Sequence, residues 1–158
     1  MKQKKQLPLI GWREYIALPA LGVDKIKVKI DTGARTSALH ALHIDTYKDN
    51  DREMVKFQVH PIQRKTTTTI DCIAPLLEYR HVTNSGGYMQ LRPVILTTVK
   101  LGGYQWNIEL TLTNRDMMGF RMLLGRQAIK NHFLVDSGKS FLGVGETRYE
   151  LWNHEKNT

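Results

Sequence analysis

The chain has 158 residues, 41% of them hydrophobic, which suits one domain with a real core or a domain with short tails. Lysine and arginine number 23 against 15 aspartates and glutamates, a formal net charge of +8 that attracts polyanions such as nucleic acid, acidic membranes or acidic peptides without choosing among them. No apolar run approaches a membrane span, the opening MKQKKQLPLIGWREY has too few apolar residues for a signal peptide, and the single cysteine, Cys72, excludes an internal disulfide, so a cytoplasmic protein is expected.

The first strong element is KIKVKIDTGARTSAL (25–39), where Ile26, Val28 and Ile30 alternate with Lys25, Lys27 and Lys29. A period of two predicts a strand with aliphatics on a buried face and ammonium groups on a wet one. It runs directly into Asp31-Thr32-Gly33, residues that a plain turn would also use. Further strands are predicted at MVKFQVH (54–60), TTTTIDCIA (66–74), PVILTTVKL (93–101) and QWNIELTL (105–112), all rich in β-branched and aromatic residues. Turn signals stand at KDND (48–51), NSGG (84–87) and LGGY (101–104), the last reading as a hairpin. GRQAIKNH (125–132) predicts the one short helix, and FLVDSGKSFLGVG (133–145) another hairpin. The result is a mostly β domain over 12–150 with one short helix in its C-terminal half, flanked by tails at 1–11 and 151–158.

Two motifs give this β domain a family likeness. An apolar strand ending in Asp-Thr-Gly-Ala, followed later by MLLGRQAI (122–129), resembles the retropepsin fold of aspartic peptidases, a closed β-barrel. More narrowly, DTGARTSALHA, RPVI and RMLLGRQA are similar to a bacterial retropepsin-like family often labelled "ATP-dependent zinc proteases", from about Trp12 to Gly145. The resemblance implies hydrolysis by two aspartates sharing one proton, one acting as general base on water and the other donating to the carbonyl. This chain has a single Asp-Thr-Gly, so the resemblance also implies a symmetric homodimer with Asp31 from each copy. Thr32 would hydrogen-bond across the paired loops, Gly33 would let two backbones approach, and Ala34 would keep the loop small. Ser85, Gly86 and Gly87, with Asn84, would form the tip of a flap, although an ordinary hairpin turn accounts for the same residues. Leu123 and Leu124 read as core, Gly125 as the point where the strand passes close behind the active loop, and Arg126 as the arginine of the Gly-Arg motif. Retroviral peptidases usually place an acidic residue four after the catalytic aspartate as partner for that arginine. Here the position is Arg35, which leaves Arg126 without it: either the two guanidiniums lie near the dyad and tune it, or Arg35 turns outward to hold an acidic substrate.

Neither zinc nor ATP is expected, in spite of the label. His40 and His43 would fall on opposite faces of an extended segment, and no His-Glu-x-x-His run exists. SGKS (137–140) lacks the first glycine of a phosphate loop, where Phe133 stands. Cys72 reads as a buried thiol rather than a nucleophile. The expected substrate is a peptide or protein, with an acidic, glutamate-rich tail favoured by Lys25, Lys27, Lys29 and Arg35 around the catalytic loop; the same lysines also fit the solvated face of an edge strand. The alternative is a non-catalytic basic module binding RNA, a ribosomal protein or an acidic peptide. The absence of a ribonucleoprotein motif makes nucleic acid the weaker partner.

Overall fold

A computed structural model describes residues 7–62, 68–84, 86–115, 117 and 119–145. In chain order the strands are β1 (Leu9–Gly11), β2 (Arg13–Leu18), β3 (Val23–Asp31), β4 (Ser37–His40), β5 (Leu42–Asp49), β6 (Arg52–Val59), β7 (Ile70–Pro75), β8 (Glu78–Thr83), β9 (Met89–Leu101), β10 (Tyr104–Thr113), β11 (Met122–Gly125) and β12 (Leu134–Asp136). The helix α1 covers Arg126–Ile129, between β11 and β12. Among the described residues it is the one α-helix, and none is long and apolar enough to cross a membrane. Residues 1–6, 146–150 and the expected C-terminal tail 151–158, with part of the threonine run on 63–67, lie outside the described residues, whereas Leu9–Gly11 of the expected N-terminal tail form β1.

The main sheet runs β10-β4-β11-β3-β2-β9-β8, and β10 also pairs with β9. Because β9 meets β2 at Ala17↔Lys100, the pairings return on themselves as a barrel. Ile26, Val28 and Ile30 of β3 join Leu39, Ile95, Leu110, Met122 and Leu124 in its core. A second sheet, β5-β6-β7, contributes Val55, Phe57, Val59, Cys72 and Ala74 to the same core. The lysines of β3 do alternate outward, but β3 lies between β2 and β11. Its charges therefore do not protect an edge. Lys25 covers the Tyr15 ring at 4.3 Å and Lys27 the Phe120 ring at 5.3 Å.

The turn chemistry follows the sequence at three places. Gly102 and Gly103 join β9 to β10 after the pair Leu101↔Tyr104. Asn50 and Asp51, with φ of 50° and 66°, form the two-residue turn between β5 and β6. The β8–β9 hairpin closes after Thr83↔Met89, with Gly87 at φ 84°.

Residues 133–145 differ from expectation. β12 pairs in parallel with β1, through Leu9↔Leu134 to Gly11↔Asp136, and the chain beyond the Asp136–Lys139 turn forms no returning strand. Its amides go elsewhere: Leu142 and Gly143 donate to the Glu14 carboxylate at 2.9 and 3.0 Å. A buried acid on β2 takes donors that a hairpin partner would otherwise satisfy.

Candidate active site

Three strands aim one loop. β11 runs parallel to β3 in a register that sets Gly125 beside Asp31, and antiparallel to β4, which begins where the Asp31 loop ends. The loop is tied at both ends. Gly33 and Ala34 donate their backbone N–H groups to Asp31 Oδ1 at 3.0 and 3.2 Å. From the other side, the amides of Arg126 and Gln127 reach the carbonyls of Ala34 and Arg35 at 2.7 and 3.1 Å. Here the exposed first amides of α1, which lack partners within the helix, are satisfied by the loop.

Gly125 is required by close packing. A Cβ there would sit 2.6 Å from the carbonyl carbon and oxygen of Thr36, and its own amide donates to Ser37 Oγ at 3.0 Å. There the strand passes the loop with backbone against backbone. Gly33 behaves otherwise. Within one chain the nearest atom to its missing Cβ is Asp31 Oδ1 at 3.3 Å, and no second backbone lies against it.

Arg126 does find a partner in the absence of an acidic residue at position 35. Its guanidinium donates to the Thr32 carbonyl at 3.0 Å, so a neutral main-chain oxygen takes the place of the ion-pair partner that Arg35 denies it. Thr32 and Arg35 are exposed, Asp31 and Ala34 half-buried.

The loop forms one wall of a cleft of about 1520 Å³. Asp31, Gly33, Ala34 and Arg35 line it, as does the half-buried Leu123, which the sequence assigned to the core together with the fully buried Leu124. β11 alternates, so one leucine faces inward and the other the cleft. The β8–β9 hairpin also lines the cleft, through Asn84, Gly86 and Tyr88 at its tip. The Asn84 side chain organises that tip by accepting from the amides of Gly86 and Tyr88 at 3.0 and 3.1 Å. Gly87 lies in the turn outside the lining, and Ser85 lies outside the described residues. Of the four cations expected around the loop, Lys29 and Arg35 line the cleft, whereas Lys25 and Lys27 lie against Tyr15 and Phe120.

Several cleft residues carried no role in the sequence reading. Arg80, Arg92 and Arg115 line it, as do Trp106 and His132, which stack at 5.5 Å. Hydrogen bonds to Glu109 and Glu78 hold the Arg80 guanidinium more firmly protonated than usual. Arg92 is pushed the other way, by burial and then by the neighbouring charge of Arg115. The signal available for Arg92 was a basic residue interrupting an apolar run, in the RPVI motif already singled out.

A family model described as "Retropepsin-like aspartic endopeptidase RimB" matches residues 9–146. The chain belongs to this RimB-like family. Among curated proteins it is 46% identical over 133 residues to a probable alpha-L-glutamate ligase of Shewanella halifaxensis, covering 84% of this chain and 29% of that one. A protein of the same name from Desulfotalea psychrophila is 43% identical over 136 residues, covering 86% and 29%. The chain thus spans less than a third of these relatives. Among solved structures it is similar to Lpg0085, a protein of unknown function from Legionella pneumophila, at 26% identity and a TM-score of 0.71, covering 86% of this chain and 98% of that one.

The site does not fit the zinc of the old label. His40 is buried with its Nδ1 3.4 Å from an Arg121 guanidinium nitrogen, and His43 is exposed at φ 53° on the next strand. Among the described residues no group of three or more His, Cys, Asp or Glu is placed to hold a metal. Cys72 is a core thiol, 3% exposed, donating to the Leu21 carbonyl at 3.4 Å. Burial, and then the charge of Asp71, raise its pKa to about 11.

Proposed function

We propose that this chain is an aspartic-type peptidase that hydrolyses peptide bonds with a water activated between the Asp31 carboxylates of two copies. The supporting observation is the Asp31 loop: a carboxylate at a strand end, one oxygen held by two amides, on the wall of a cleft of about 1520 Å³. One chain supplies one such group, and a two-fold axis through the loop would supply the other. Two carboxylates in contact share a proton. The ionised one removes a proton from water as its oxygen attacks the scissile carbonyl, and the protonated one gives its proton to the carbonyl oxygen. Collapse of the resulting diol breaks the C–N bond: the protonated carboxyl gives its proton to the leaving amine while the ionised one takes a hydroxyl proton from the diol, which restores the singly protonated dyad. Thr32, exposed at the loop, and Gly33, open on its far side, are where the two loops would meet. The β8–β9 hairpin, with Gly86 and Gly87 at its turn, would close over the peptide as a flap.

Glutamate-rich protein tails are the substrate this reading favours. Lys29 and Arg35 line the cleft beside Asp31, and the formal net charge is +8. Relatives that contain a matching segment are named for joining glutamate, and a hydrolase for glutamate tails is the natural counterpart of such a ligase.

The reading is tested by incubating the protein with an oligoglutamate-tailed peptide and a neutral one, with sedimentation in parallel. Expected are cleavage that survives a strong chelator and a specific activity that rises with protein concentration as dimers form. A persistent monomer that binds peptide and cleaves none is the outcome required by the non-catalytic alternative. It would remove the shared dyad.

A further inference from the structure

Arg92 is a buried cation that the reaction above leaves unused. It is 7% exposed on β9 and lines the cleft. Its Nε donates to Gln90 Oε1 at 2.9 Å, and the same oxygen accepts from the Thr113 hydroxyl at 2.9 Å, so the side chain that orients Arg92 is itself fixed. Among the described residues no carboxylate pairs with Arg92 or with Arg115, its cationic neighbour in the cleft.

The surroundings deepen the imbalance. Directly opposite Arg92 on β8 stands Arg80, a like-charge cross-strand pair of the kind that destabilises a sheet. Glu78 and Glu109, the acids bonded within this group, are both taken by Arg80. Taking most of a guanidinium out of water is costly, and an arriving anion offsets that cost. Its terminal N–H groups form a planar fork that matches a carboxylate with two parallel bonds.

We infer that Arg92 and Arg115 form a carboxylate-binding subsite of the cleft that the Asp31 loop also lines. The ligand is either an acidic side chain of the bound peptide or the α-carboxylate at its C-terminus, which present the same anion. The assignment rests on the peptide-cleft reading above and adds the residues that recognise charge there.

Binding is measured by calorimetry on an Asp31→Asn background, so that hydrolysis does not consume the peptide. Three peptides of equal length are compared: oligoglutamate with an amidated C-terminus, oligoglutamine with a free C-terminus, and oligoglutamine amidated. Arg115→Gln removes the exposed charge, and Arg92→Lys keeps the buried charge while removing the fork. Each is expected to weaken the carboxylate-bearing ligand by roughly 10–100-fold relative to amidated oligoglutamine. Loss confined to amidated oligoglutamate assigns the site to side chains; loss confined to free oligoglutamine assigns it to the terminus. Equal weakening of all three peptides would overturn the subsite, as would carboxylate peptides that bind no better than the amidated control. If the protein with Asp31 intact still cleaves neutral peptides in that event, the subsite falls and the peptidase reading stands.

Discussion

Glu14 and Asp31 sit on neighbouring strands, each gripped by backbone amides, yet they are equipped for opposite tasks. Glu14 is 1% exposed, and both its oxygens are engaged: Oε2 by Gly11 at 2.7 Å and Leu142 at 2.9 Å, Oε1 by Gly143 at 3.0 Å. Asp31 is half-buried on a cleft wall, and both its amide donors fall on Oδ1. A saturated, buried carboxylate is a staple, here between the β1–β2 corner and the chain after β12. A carboxylate with one oxygen pinned keeps its direction while the other oxygen can still accept from water or carry a proton. The number of amides matters less than how they are divided between the two oxygens.

That contrast can be broken at Glu14 first. Glu14→Ala leaves three backbone donors without an acceptor, and should cost on the order of 3 kcal/mol, a fall in Tm of roughly 6–12 °C by calorimetry. A loss within about 0.5 kcal/mol would mean that Glu14 is not a staple. Cys72 extends the comparison to a group buried without a charged partner. With its pKa raised to about 11 from 9.0, thiolate at pH 8 should be scarcer by about 100-fold, and alkylation of the native protein slower than of the unfolded chain by about that factor. Since the folded value lies above the unfolded one, this thiol's contribution to stability is complete below pH 9 and is lost as pH rises toward 11.

Gly125→Ala probes the support of the open carboxylate. A Cβ driven to 2.6 Å from the Thr36 backbone should cost roughly 1–3 kcal/mol and displace the loop, lowering turnover as well as Tm. The smallest effect is expected at Arg35, exposed at the cleft mouth. Arg35→Gln should weaken processing of an oligoglutamate peptide by a factor of a few relative to a neutral one, with the gap closing as salt rises past about 0.1 M. Equal slowing of both peptides at every salt concentration would make Arg35 structural.

The sequence exposed the open carboxylate far better than the closed one. Asp31, Gly125, the β9–β10 turn and the short helix all follow from local patterns: a strand entering a turn, a glycine before an arginine, two glycines between β-branched runs. Glu14 sits in REYIAL, a stretch the sequence assigned to no strand, and its partner Leu142 lies 128 residues away. For the same reason β12 reads as half of a hairpin, and β3 is not recognisable as an interior strand. Arg92 stood in a motif the sequence did flag. That no carboxylate among the described residues pairs with it became visible only when the β8–β9 register set Arg80 opposite it, with Glu78 and Glu109 bonded to Arg80.

The central claim, that Asp31 is a chemical group and not a turn residue, is tested most directly by Asp31→Asn, with peptide turnover and thermal unfolding measured on the same preparation. Asparagine keeps an acceptor for the Gly33 and Ala34 amides but cannot serve as a base. The account predicts turnover of every peptide lower by at least roughly 10²–10⁴-fold, with Tm moved by no more than about 2 °C. Turnover retained at the wild-type rate, or lost only in proportion to a collapse in Tm, would contradict it.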